Sequence, residues 1–138
     1  MTQINAYLTF EGNCKEAMDF YKQCLGGELY LQTVADTPMG AKASAEEKKA
    51  VMHAALTKGG VVLMASDRMG GGKGVQGNTM ALMLACENEA EIKSLFSKLS
   101  AGGKIGHPLE VQFWGAMFGD FTDKFGVRWM LNWDKPKS

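Results

Sequence analysis

The sequence of 138 residues has no excess of charge of either sign: fifteen Lys and Arg balance fifteen Asp and Glu. Without a basic field nothing holds a nucleic acid or an anionic membrane surface, and both are excluded as expected partners. No apolar run approaches the roughly 18 residues of a membrane span, and Met1 to Phe10 lacks the charged start and apolar run of a leader. A cytoplasmic protein is expected. Cysteine is scarce and odd in number: Cys14, Cys24 and Cys86 fall in segments patterned as helix or strand, unlike a secreted disulfide framework. Cys14 and Cys24 would stand about 15 Å apart along one helix, too far to bond, so all three are expected as buried, reduced, small hydrophobes. There are two histidines, His53 and His107, and no H-x-x-x-H or C-x-x-C pair. The G-x-S-x-G elbow and the Cys/His spacing of nucleophilic hydrolases are missing as well. The run Gly70 to Gly74 is not a phosphate loop, because Asp67 and Gly74 stand where that motif needs Gly and Ser or Thr.

What is present is an ordinary globular composition, 46% hydrophobic and 22% charged, rich in glycine (17) and methionine (10). One domain is expected. Its organisation is a repeat. Ile4 to Phe10 alternates as a half-buried strand. A helix follows, with Asn13 and Glu16 as a capping box, the stripe Cys14, Ala17, Met18, Tyr21, Cys24 and Leu25, and Gly26-Gly27 as its end. Strands are expected at Glu28 to Ala35, Val51 to Thr57 and Val61 to Ser66, the last two joined by Lys58-Gly59-Gly60. Between them Ser44 and Glu47 suggest one capped turn of helix. The order then recurs: a strand over Asn78 to Cys86, a helix capped by Asn88 and Glu91 with Ile92, Leu95, Phe96 and Leu99 as its stripe, the stop Gly102-Gly103, and strands at Lys104 to Gln112, Ala116 to Thr122 and Val127 to Trp133. The expected fold is therefore α+β, two β-α-β-β-β modules in tandem as a pseudo-twofold domain: module one about 1–68, a linker over 69–77, module two about 78–138. One helix covers one sheet face, which leaves an opposed concave surface between the modules as the expected ligand cavity.

The blocks Tyr7-Leu8-Thr9-Phe10-Glu11-Gly12-Asn13, Glu16-Ala17, Phe20-Tyr21, Val51-Met52-His53-Ala54 and Leu63-Met64-Ala65-Ser66-Asp67 resemble the PhnB-like family of the vicinal oxygen chelate superfamily. That superfamily holds glyoxalase I, bleomycin and fosfomycin resistance proteins and extradiol dioxygenases. Phe113-Trp114-Gly115, Phe118-Gly119 and Asp123-Lys124-Phe125-Gly126-Val127-Arg128-Trp129 extend the match over nearly the whole chain. Lys124 stands where family members usually carry proline, which removes that ring's restraint from the turn. The resemblance implies the paired modules, a homodimer, and, in metal-dependent relatives, a divalent ion held by His and Glu from the first and last strands of each module. Those ligand positions fall on Asn5 or Ala6, Met64, Thr79 and Met130, none of them a ligand for a hard or borderline divalent ion.

The expected function is binding of a small organic molecule without a tightly held metal or other cofactor, for sequestration, sensing or an unassigned reaction. Whether the chain is an enzyme stays open. Asn5, Tyr7 and Thr9 form the polar face of the first strand and point to the cavity if its apolar face packs on helix. Met64, Thr79, Trp114 and Met130 complete the expected ligand-binding set, and His53 is the candidate catalytic acid/base. His107, before Pro108, is expected at the surface. Two rivals stand beside this reading. One is a metal-dependent lyase, isomerase or dioxygenase, its ion held by the histidines with Glu28, Glu110 or Asp120. The other is a non-catalytic interaction protein. A methyltransferase is not expected, since no nucleotide-binding strand, glycine-rich turn and helix is present.

Overall fold

A computed structural model describes residues 2–68 and 74–136. Of the glycine-rich linker stretch, Gly70 to Lys73 lies outside the described residues. The chain divides into two compact units, residues 1–75 and 76–138. The first is built from β1 (Ala6–Phe10), α1 (Cys14–Leu25), β2 (Glu28–Thr33), two short 3-10 turns, α2 (Ala45–Lys49), β3 (Val51–Lys58) and β4 (Val61–Asp67). The second is built from β5 (Leu82–Ala85), α3 (Glu89–Ser100), β6 (Lys104–Val111), β7 (Ala116–Thr122) and β8 (Arg128–Asp134). Both sheets have one topology, β1-β4-β3-β2 and β5-β8-β7-β6. In each the first strand lies parallel to the last and the other neighbours are antiparallel.

Each helix covers one sheet face for the reason its stripe suggests. Cys14, Ala17, Met18, Tyr21, Cys24 and Leu25 are buried along α1, and Ala54, Leu56, Leu63 and Ala65 are buried on β3 and β4. Large side chains buried this fully stabilise by about 1.5–3 kcal/mol each. In the second unit Ile92, Phe96 and Leu99 of α3 are buried, as are Phe121, Trp129 and Leu131. The Phe96 and Phe121 rings meet edge-on with centroids 5.1 Å apart. Gly119 makes the close approach possible, since a Cβ there would stand 2.6 Å from the Phe96 ring.

Several local expectations need correction. Asn13 sits at the N-cap of α1 without a side-chain capping bond. The buried Asp67 carboxylate does that work, accepting from the backbone N–H groups of Gly12 (3.0 Å), Cys14 (2.9 Å) and Val51 (2.8 Å). Asn88 does cap α3, accepting from Glu91 N at 2.8 Å, but the Glu91 carboxylate accepts from Glu87 N rather than from Asn88. Ser44 and Glu47 form the full reciprocal box of α2. β2 stops at Thr33, where Asp36 accepts from the Thr33 backbone and hydroxyl and opens a 3-10 turn. The strand expected from Asn78 begins at Leu82, because the Asn78 and Met80 carbonyls accept from the Arg128 guanidinium instead of a neighbouring strand. Cys86 is half-buried, unlike Cys14 and Cys24. The turn at Lys124 is held without proline: the buried Asp123 carboxylate accepts from Phe125 N, Val127 N and Trp129 Nε1 at 2.8–3.0 Å.

Candidate functional site

Alternation puts a second, less buried face on each sheet, turned away from its helix. On the first sheet one cross-strand row runs Tyr7, Met64, Ala55, Tyr30, each pair in register with the next. Tyr7 and Tyr30 end the row and are 53% and 56% exposed. Ala55 and Met64 form a low floor between them. One step along the strands lie Thr9 opposite Ser66 and His53 opposite Gln32, a polar row. The His53 ring leans towards the tyrosines, with its centroid 6.3 Å from each: near-parallel to Tyr7 and tilted to Tyr30. The result is a shallow aromatic seat with a thioether floor and an imidazole at its rim.

The second sheet repeats the ladder with other side chains. Its row runs Met83, Met130, Asp120, His107, again in register. The next rung carries Ala85, Asn132, Phe118 and Glu110. Trp114 sits at the tip of the β6–β7 hairpin, which Gly115 closes at φ 95°. Its indole meets Phe118 (centroids 6.4 Å) and Phe113 (5.0 Å), and both Phe113 and Trp114 are exposed rather than core.

Of the residues singled out from sequence, Tyr7, Thr9, Met64 and His53 share the open face of the first unit, and Met130 and Trp114 lie in the second. Asn5 precedes β1, and its amide oxygen accepts from Gln3 Nε2 at 2.6 Å. Thr79 lies before β5 and is exposed, and the residue facing Met130 from the first strand is Met83. Tyr30, Ala55 and Gln32 were not singled out, although Glu28, Tyr30 and Gln32 alternate with Leu29 and Leu31, which is the signal that places them on this face. His107 is exposed as expected but partnered by Asp120.

Neither thiol with a resolved shift is poised to react. Burial, with Asp67 nearby, pushes Cys14 up to about 12, and burial, with Glu91 nearby, pushes Cys86 up to about 11. Among the described residues no group of three or more His, Cys, Asp and Glu side chains is placed to hold a metal ion. No described helix is long and apolar enough to cross a membrane.

The tandem modules and their shared ladder agree with what known proteins show. The family profile of the glyoxalase/bleomycin resistance protein/dioxygenase superfamily matches residues 3–131. Protein YjdN of Escherichia coli strain K12 is 37% identical, over 94% of this chain and 93% of its own. The crystal structure of protein PA1353 from Pseudomonas aeruginosa is 40% identical with a TM-score of 0.85, covering 99% of this chain and all of the other. A PhnB protein from Bacillus cereus, also described as a putative 3-demethylubiquinone-9 3-methyltransferase, is 30% identical with a TM-score of 0.75, covering 96% of this chain and 99% of that one. A match across nearly the whole length, carried by both modules and shared with a PhnB protein, places this chain in the glyoxalase/bleomycin resistance protein/dioxygenase superfamily.

Proposed function

We propose that this chain binds a small organic molecule on the open face of its first module, without a tightly held metal. The observation that carries the reading is the row Tyr7, Met64, Ala55, Tyr30 with the His53 imidazole 6.3 Å from both phenol rings. Two exposed aromatic walls and a thioether floor fit a planar or apolar body, while the His53 ring and the Tyr7 hydroxyl supply polar contacts that orient it. The donor chemistry supports the metal-free part. Met64 faces a phenol and Met130 faces a second thioether, and thioethers are poor ligands for the hard and borderline divalent ions of metal-dependent relatives. A methyl-donor site is disfavoured because both sheets are mixed and four-stranded, not the parallel doubly wound sheet that presents a nucleotide crevice.

Chemical-shift mapping with a panel of small aromatic and oxyacid compounds tests the seat. Perturbations centred on Tyr7, Tyr30 and His53 are expected, and responses confined to the α1 face around Met18 would overturn the reading. Tyr7→Phe and His53→Ala should each weaken binding by about 1 kcal/mol, the scale of one hydrogen bond. Elemental analysis of protein purified without chelator should find no stoichiometric divalent ion, and about one Zn, Ni, Mn or Fe per chain would sink the metal-free part. The same reading includes a homodimer. Ile105 and Val111 are exposed on the edge strand β6, with Phe113 beside them, as an apolar margin that a second copy can cover. Sedimentation at micromolar concentration should give twice the 15.0 kDa chain mass, and a monomer would refute it.

A further inference from the structure

Charge, more than shape, sorts the ligands that the aromatic seat can take. Of the strand residues on that open face only Glu28 carries a carboxylate, and among the described strands of the module no Lys or Arg shares the face with it. Lys58 has the opposite parity, and its ammonium donates to the Leu25 carbonyl at 3.0 Å. Arg68, just past β4, lies with its Nε 3.5 Å from Glu11 Oε1, so those two charges offset each other. Glu28 is exposed, faces Thr57 across the ladder and has no ion pair among the described residues. It shares the parity of Tyr30 two residues on, about 7 Å along the strand. The aromatic groups add to the same sign. A phenol ring holds its negative potential over its face, and Tyr7 and Tyr30 stand half-exposed at the two ends of the Met64 and Ala55 floor. An anion on this surface meets a carboxylate and two electron-rich rings, whereas a cation gains from all three.

We propose, resting on the aromatic seat described above, that the seat selects a planar organic cation, an aromatic or heteroaromatic amidine or amine in its protonated form. The apolar ring lies over Met64 and Ala55 between the two tyrosines. The charged end is turned to Tyr30 and Glu28, where a ring face and a carboxylate adjoin on one strand. At the other end of the ring lie the hydroxyls of Thr9 and Ser66, which make no hydrogen bond with a described residue and are open to a neutral polar substituent.

Benzamidinium, benzamide and benzoate test the charge, being planar, of one shape, and positive, neutral and negative in turn. Titrated into the full chain and followed by chemical shifts at Tyr7, Tyr30 and His53, benzamidinium should bind about five-fold tighter than benzamide, and benzoate most weakly. Glu28→Gln, a substitution at an exposed side chain, should remove most of that advantage and leave benzamide unchanged. Tyr30→Leu, which keeps an apolar contact but no ring face, should weaken benzamidinium more than benzamide. Equal binding of benzamidinium and benzamide at these residues, or an undiminished advantage in Glu28→Gln, would overturn the selection of a cation and leave the aromatic seat standing. Benzoate binding more tightly than benzamidinium would overturn it too, and would point to Arg68 leaving Glu11 for the ligand. Absence of any response at Tyr7, Tyr30 and His53 to all three would remove the seat itself, and the selection with it.

Discussion

At equivalent rungs of the two sheets the first module carries Tyr7, Met64, Ala55 and Tyr30, and the second carries Met83, Met130, Asp120 and His107. The equivalence is anchored by the ladders themselves: Glu28 pairs with Thr57 where Lys104 pairs with Thr122, and within the two rows above only methionine recurs, in Met64 and Met130. One rung further the imidazole of His53 is answered by the phenyl of Phe118. The helix-facing sides stay apolar in both while the open sides differ at most rungs. Burial against a helix tolerates little besides apolar groups of fitting size, whereas an open face is constrained only by its own cross-strand neighbours. One irregularity in β6, at Gly106, brings an imidazole opposite a carboxylate where the first module has a phenol opposite a methyl.

The comparison breaks most sharply at the two buried carboxylates. Asp67 and Asp123 each accept from three donors, but Asp67 ties the start of α1 to β3, whereas Asp123 ties a hairpin to itself. Asp67→Ala and Asp123→Ala should each cost about 3 kcal/mol or more in urea unfolding, as stranded buried N–H groups do. Hydrogen exchange then separates the two, with protection lost at Cys14 and Val51 in the first variant and at Phe125 and Val127 in the second. The irregularity comes next. Gly106→Ala should destabilise by about 1–3 kcal/mol, an overpacking cost, and most of that should vanish on an Asp120→Ala background, since the collision is with that carboxylate. Equal costs on both backgrounds would show that the strand, not the carboxylate, needs the glycine.

The thiols give the smallest effect. With Cys14 raised from 9.0 to about 12, the native chain keeps a proton that the unfolded chain has lost, so its contribution to stability is whole below pH 9 and declines as pH rises towards 12. Cys14→Ala should therefore flatten the loss of stability above pH 9, as urea melts on either side of that value would report. Cys86, half-buried and raised to about 11, should alkylate faster than the buried Cys14 under native conditions.

The repeat, the helix stripes and the glycine stops were legible in the sequence because periodic burial leaves a periodic pattern. β1, β3, β4 and β7 fall within a residue or two of where alternation puts them. What stayed hidden depends on partners far along the chain. That Asp67 rather than Asn13 caps α1 is a contact across 53 residues, and a local capping pattern cannot reveal it. The expected strand start at Asn78 failed because Arg128, remote in sequence, captures those carbonyls. On the open faces, Tyr7 was readable from strand parity, Met64 from the family resemblance and His53 from its imidazole on a hairpin strand, but Tyr30 becomes their neighbour only through the register of β2 on β3. His107 looked like a plain surface residue since the irregular pairing that turns it onto Asp120 has no local sequence mark beyond Gly106 and Pro108.

The glycine at the exit of each helix carries a consequence for the order of folding. A Cβ at Gly27 would run into the carbonyl of Thr57, and one at Gly103 into that of Thr122. Each helix exit is thus pressed onto the near end of a hairpin that is translated well after it. The approach closes only once that hairpin has docked, so closure after the rate-limiting barrier is the expectation, and the refolding and unfolding rates of Gly27→Ala and Gly103→Ala check it. Side chains at these two points would therefore leave the speed of refolding almost untouched and shorten the lifetime of the native state instead, one module at a time.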